Sequence, residues 1–150
     1  MPAISHRLLP LVLAAALTAG GSPAVLADDK PPALDCELGF DRLKETIGAL
    51  PGAEKSEKGD WDMVQVNSTG TGESDWWIAL YVLTKAPHYA YPTVTRRIIW
   101  KEADGKVMSE RTACGYGDKA LFDKVMAEFA DLDRKMNEEI EKEHAEEQKQ

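Results

Sequence analysis

The chain has 150 residues, with 26 Asp and Glu against 18 Lys and Arg and a formal net charge of -8 at neutral pH. That balance argues against nucleic acid or an anionic membrane surface as partner, because gripping phosphates takes clustered Lys and Arg that release counterions. The length suits one domain, and a core this small gains from covalent support.

The first residues read as an export signal. His6 and Arg7 precede an apolar run over 8–17, and Gly20, Gly21, Ser22 and Pro23 lead to Val25-Leu26-Ala27, small or compact residues before a cut. The run is shorter than the ~20 residues that a membrane span takes. Residues 1–27 are therefore expected to be removed, leaving a mature chain that begins at Asp28, is exported and, in a bacterium, periplasmic, with no stable membrane insertion. Losing Arg7 moves the net charge from -8 to -9. Residues 28–35, with Pro31 and Pro32, read as a flexible leader, residues 36–142 as a single domain and residues 143–150 as a charged tail.

Two cysteines, Cys36 and Cys114, follow the signal. An even count without C-x-x-C spacing, in a compartment where thiols oxidise, predicts one structural disulfide rather than a redox motif or a zinc site. Phe40, Leu43, Ile47 and Leu50 recur on one face of a helix that Pro51-Gly52 ends. The polar stretch 53–60 reads as a loop. Alternation of period two then gives a short strand from Trp61, where Val64 and Val66 fall on one side and Met63 and Gln65 on the other. Residues 69–72 read as a turn.

Residues 75–84 carry Trp76, Ile78, Leu80 and Val82 on one face and Trp77, Ala79, Tyr81 and Leu83 on the other. Apolar on both faces, this is the expected central strand, covered on each side at least in part. Residues 93–101 and 106–113 are two more strands, joined at Asp104-Gly105, a strong hairpin signal. A two-residue turn there would set Trp100 opposite Ser109 and Ile98 opposite Arg111. Val94, Ile98, Trp100, Val107 and Ala113 would then share the core face, with Arg97, Lys101 and Glu110 on a wetter one. Gly115-Tyr116-Gly117 reads as a compact turn and Asp118 as the N-cap of a last helix striped by Leu121, Phe122, Val125, Phe129, Leu132, Met136 and Ile140. Fewer than three clean heptads favour docking of this stripe on the sheet, and so a monomer, over a dimer seam. The expected fold is α+β: a four-stranded antiparallel sheet, an N-terminal and a longer C-terminal helix packed mainly on one face, and one disulfide.

Chemistry-bearing residues are few. His6 leaves with the signal and His144 sits in the charged tail, so His88 is the one histidine expected in the folded body, with no second His at a spacing that would share a metal. Asp60 with Asp62, and Glu73 with Asp75, are carboxylate pairs that read as solvated surface. Asn67-Ser68-Thr69 matches a glycosylation sequon, a short and frequent pattern. The densest stretch is TKAPHYAYPTVTRR, residues 84–97, which holds Pro87, His88, Tyr89, Tyr91, Pro92, Arg96 and Arg97 between two strands. Tyr offers contact area at low entropy cost and Arg directional donors. His88, Tyr89, Tyr91, Arg96 and Arg97 are therefore the candidate binding residues, against a structural corner as the other reading.

Thr84, His88, Ala90, Pro92 and Arg96-Arg97 resemble a T-x-x-x-H-P-A-H-P segment followed by Arg that occurs in small exported bacterial proteins of unassigned function. The resemblance covers residues 84–97 alone. This chain has Tyr89 where the pattern has Pro and Tyr91 where it has the second His, which removes a paired-His metal site. What the resemblance implies is an exported protein, without an activity.

The expected function is a non-catalytic periplasmic binding or interaction domain for an envelope protein or ligand, without cofactor or metal. Two alternatives are a small hydrolase-like envelope enzyme using His88 or an Asp/Glu pair, and a structural or stress-related envelope protein without a small-molecule site.

Overall fold

The computed structural model describes residues 31, 33–68, 76–147 and 149. The expected signal over 1–27, the turn over 69–72 and the Glu73/Asp75 pair lie outside the described residues, as does the side chain of His144.

A 3-10 turn at Cys36–Leu38 leads into α1, Phe40–Gly48. Asp35 starts the turn by accepting the Glu37 amide at 3.1 Å, and Gly39, at φ 78, takes the corner into the helix, where a side chain would be strained. So short a helix is held by packing, here of buried Leu43 and Ile47. Five strands follow: β1 Glu54–Lys58, β2 Trp61–Asn67, β3 Trp77–Thr84, β4 Thr93–Lys101 and β5 Val107–Gly115. Each pairs antiparallel with the next, so the sheet order is the chain order. The last element, α2, spans Lys119–Glu147. Asp118 caps it as expected, accepting the Leu121 amide at 3.0 Å, and its helical turns continue through Glu147 into the charged segment.

The sheet has five strands where four were expected. The extra one, β1, has the sequence EKSEK and every residue exposed. It carries no apolar alternation to reveal it; backbone pairing with β2 makes it, closed by the two-residue turn Gly59-Asp60 with Gly59 at φ 58. Charge along this edge discourages pairing with another chain.

The register decides which residues share a face. On one face the rows across β2, β3, β4 and β5 are Asp62, Leu83, Val94, Cys114 and Val64, Tyr81, Arg96, Thr112. On the other they are Met63, Val82, Thr95, Ala113 and Gln65, Leu80, Arg97, Arg111. Helix α1 covers the first face, where Leu43 and Ile47 pack with Val64, Val66, Trp77, Ala79, Tyr81, Leu83, Val94 and Cys114. Helix α2 lies against the second, where its Asp133 meets Arg97 and Arg111. The two helices thus sit on opposite faces, not mainly on one. The reason is the double apolar face of β3, since each side needs its own cover.

The β4–β5 register is also shifted by one residue from the expected hairpin. Trp100 faces Met108 and Ile98 faces Glu110, because the Gly105 amide bonds back to the Glu102 carbonyl at 2.8 Å and the turn holds three residues, with Gly105 at φ 87. A one-residue slip moves every side chain of a strand to the other face. Val107 and Ala113 therefore lie on the α2 face, away from Val94, Ile98 and Trp100, and Arg97 pairs with Arg111. Far from a wet surface, Arg97 is only 2% exposed. Cys36 and Cys114 form the expected disulfide, with Cα atoms 5.4 Å apart, tying the entry of α1 to the end of β5.

Candidate functional site

The loop between β3 and β4 is pinned at its base. The Thr84 hydroxyl accepts the Thr93 amide at 2.8 Å and donates to the Thr93 carbonyl at 3.3 Å, all buried. Above this base the Tyr91 amide bonds to the His88 carbonyl, and Ala90 is buried. Both X-Pro bonds in the loop, Ala86-Pro87 and Tyr91-Pro92, are cis.

Each candidate side chain in the loop has a partner within the domain. The His88 ring lies 4.3 Å from Trp61 and 4.5 Å from Tyr89, and its Nδ1 accepts the Ala90 amide at 3.1 Å. Tyr89 leans toward α2: its hydroxyl donates to Glu128 at 2.7 Å and Lys124 lies 4.6 Å from its ring. Burial, followed by the adjacent Glu128 carboxylate, pushes the Tyr89 phenol up to about 12. Tyr91 turns the opposite way, edge-on to Phe40 of α1 at 5.3 Å. Tyr89 and Tyr91 remain 37% and 42% exposed and lean to opposite sides of the loop.

The two arginines are separated by the sheet itself, as successive residues of a strand must be. Arg96 points into the α1 layer, where it bonds to Tyr81 and donates to the Pro31 carbonyl at 2.7 Å. Arg97 points into the α2 layer. The five candidates therefore do not converge: His88 and Tyr89 stand at the α2 side of the corner, Tyr91 at the α1 side, and the arginines inside opposite layers.

A different feature gathers around Arg97. Between α2 and the sheet runs a groove of about 600 Å³ whose floor includes Met63, Leu80, Val82 and Ile99 and whose helical wall includes Val125, Phe129, Leu132 and Met136. The Trp61 and Phe129 rings meet edge-on at 5.6 Å at one end. The α2 stripe was expected to bury itself on the sheet. Val125 does so fully, yet Leu132 is 47% and Met136 36% exposed, facing apolar strand residues across open space.

On the strand side of this groove are two cations that share one anion from α2. Arg111 grips Asp133 with two hydrogen bonds, at 2.6 and 2.7 Å, and donates a third to Thr95 at 3.0 Å, while its guanidinium covers the Phe129 ring at 4.4 Å. Arg97 reaches the same carboxylate at 3.3 Å and donates to Asn137 at 3.0 Å and to the Met136 sulfur at 2.9 Å. Its Nε is buried without a partner. Burial lowers the Arg97 pKa; Asp133 opposes that shift and Arg111 reinforces it.

Of the residues that line this groove, Arg97 was a candidate from the sequence, whereas Arg111, the apolar lining and the nearby Asp133 were not expected in a site. A signal was present in β3, whose second apolar face needed a cover that one helix of spaced apolar residues could supply only in part. Among the described residues no group of three His, Cys, Asp or Glu side chains is arranged to hold a metal ion, and no helix is long and apolar enough to cross a membrane. Of the carboxylate pair at the β1–β2 turn, Asp62 bonds Lys44 at 2.9 Å and lies 3.7 Å from Lys85. Comparisons with protein-family models, curated proteins and solved structures find no match to this chain.

Proposed function

We propose that this protein is a non-catalytic binding domain, exported to the periplasm, that holds an apolar small molecule in the groove between α2 and the sheet. The observation that carries the reading is the exposed pair Leu132 and Met136 facing Met63, Leu80 and Ile99 across about 600 Å³. Ligand pockets have this size and this predominance of apolar walls, whereas apolar side chains left exposed forgo the burial that normally closes a core. The disulfide accords with an oxidising compartment. The reading moves the contact surface from the loop to the groove, and of the five loop candidates only Arg97 lines it. An enzyme reading draws less support, since the Nδ1 of His88 is engaged by a main-chain amide rather than poised by a carboxylate.

The test is a titration with the neutral fluorescent probe N-phenyl-1-naphthylamine, on the native protein and on Leu80→Trp, which fills the groove floor. The expected result is saturable one-to-one binding that the variant loses at unchanged melting temperature. Equal binding by both proteins, or none by the native one, would contradict the reading.

A further inference from the structure

We infer that the molecule held in this groove is an anionic amphiphile, an aliphatic chain ending in a carboxylate that pairs with Arg97. The inference rests on the groove being a binding site and adds the chemistry of its ligand. Its first ground is charge. Arg97 and Arg111 both lie against Asp133, and the two guanidiniums leave one positive charge unmatched within a largely apolar wall. A cation withdrawn from water is costly without a partner, and the Asn137 amide opposite Arg97 supplies a dipole, not a charge.

The second ground is the hydrogen bonding of Arg97 itself. Its Nε is buried without a partner, and its Nη1 spends one contact on the Met136 thioether, a weak acceptor. A carboxylate is a far stronger acceptor for a guanidinium and takes two of its N–H groups side by side. Met136 is unbranched and 36% exposed, so rotation of its side chain would open that edge of the guanidinium to the groove.

The third ground is the lie of the apolar surface. From the Arg97 row to the Thr93 row, in which Trp61 lies, the sheet extends about 13 Å, so a chain bound at Arg97 can run along Leu80, Val82 and Met63 toward Trp61. Charges at the Trp61 end have both signs, Lys58 with Asp60 and Glu128, and Glu128 already accepts the Tyr89 hydroxyl. The unmatched charge is therefore at Arg97, which fixes the direction of the ligand.

Displacement of N-phenyl-1-naphthylamine by dodecanoate and by dodecanol measures what the head group adds. Dodecanoate is expected to bind on the order of tenfold more tightly than dodecanol, and the advantage should shrink as salt is added. Asn137→Asp supplies Arg97 with its own carboxylate at an exposed helix position and should bring the ratio of the two affinities to about one. Arg97→Met should do the same, and if that variant does not fold, Asn137→Asp decides. A ratio near one in the native protein, or a ratio unchanged by Asn137→Asp, overturns the carboxylate while leaving the groove as a site for neutral molecules. Failure of the probe to bind, including through a dimer that covers the groove, overturns both.

Discussion

Asp133 is the anion that two arginines share on the α2 side of this domain. It neutralises Arg111 through two hydrogen bonds and is the one carboxylate within salt-bridge distance of Arg97 among the described contacts. Replacing it leaves two shielded cations facing each other, a change that costs about 3–5 kcal/mol when a buried pair loses one partner. Asp133→Asn should therefore destabilise by about that amount in urea unfolding. Arg97→Met should cost clearly less, because Arg111 and Asp133 remain matched. Equal losses would show that Arg97 contributes its charge favourably and that the wall has no surplus. None of this was legible in the sequence. Arg97 stands in a strand among Val94, Ile98 and Ile99, and strand alternation places it opposite Arg96 but cannot say which face is dry. The expected two-residue turn at Asp104-Gly105 put it on the wetter face; the third turn residue reversed the partners of β4 and paired it with Arg111.

At the scale of elements, what could be read were those with a hydrophobic period. Helix α1, strands β2 to β5 and the capped start of α2 all follow spacings visible in the chain, whereas β1 has none and is held by its backbone ladder with an exposed ion pair from Glu57 to Lys85. Such an edge strand should open locally. In hydrogen exchange the β1 amides are expected to exchange on the order of a hundredfold or more faster than those of β3; comparable protection would mean that β1 is held by contacts beyond its ladder. The compact turn before α2 shows why short residues stand there. A Cβ at Gly115 would run into the Phe122 ring of α2, and one at Gly117 would come within 2.8 Å of the Tyr91 carbonyl. Gly117 thus lets the β3–β4 loop close against the turn, where the Tyr116 amide reaches the Pro92 carbonyl at 3.0 Å. Gly117→Ala is expected to cost about 1–3 kcal/mol by overpacking, read as a lowered urea midpoint at constant m-value. A neutral effect would mean that the loop yields freely.

As a whole the molecule is a sheet with a different layer on each face. The α1 face carries the buried hydrophobic core, tied at one edge by the Cys36–Cys114 bridge. Reducing that bridge should lower stability by roughly 4 kcal/mol in the chain-entropy picture, and a change under ~1 kcal/mol would place the stability of the fold in its packing alone. The α2 face is half filled, and the half left open holds the proposed site. Whether this open half binds an apolar chain can be read residue by residue in methyl NMR. Protein with labelled Ile, Leu, Val and Met methyls would be titrated with dodecanoate. Saturable shifts are expected at Met63, Leu80, Val82, Ile99, Leu132 and Met136, with Val64, Leu83 and Val94 on the α1 face unmoved. Shifts spread over both faces, or none at the groove methyls, would contradict binding there.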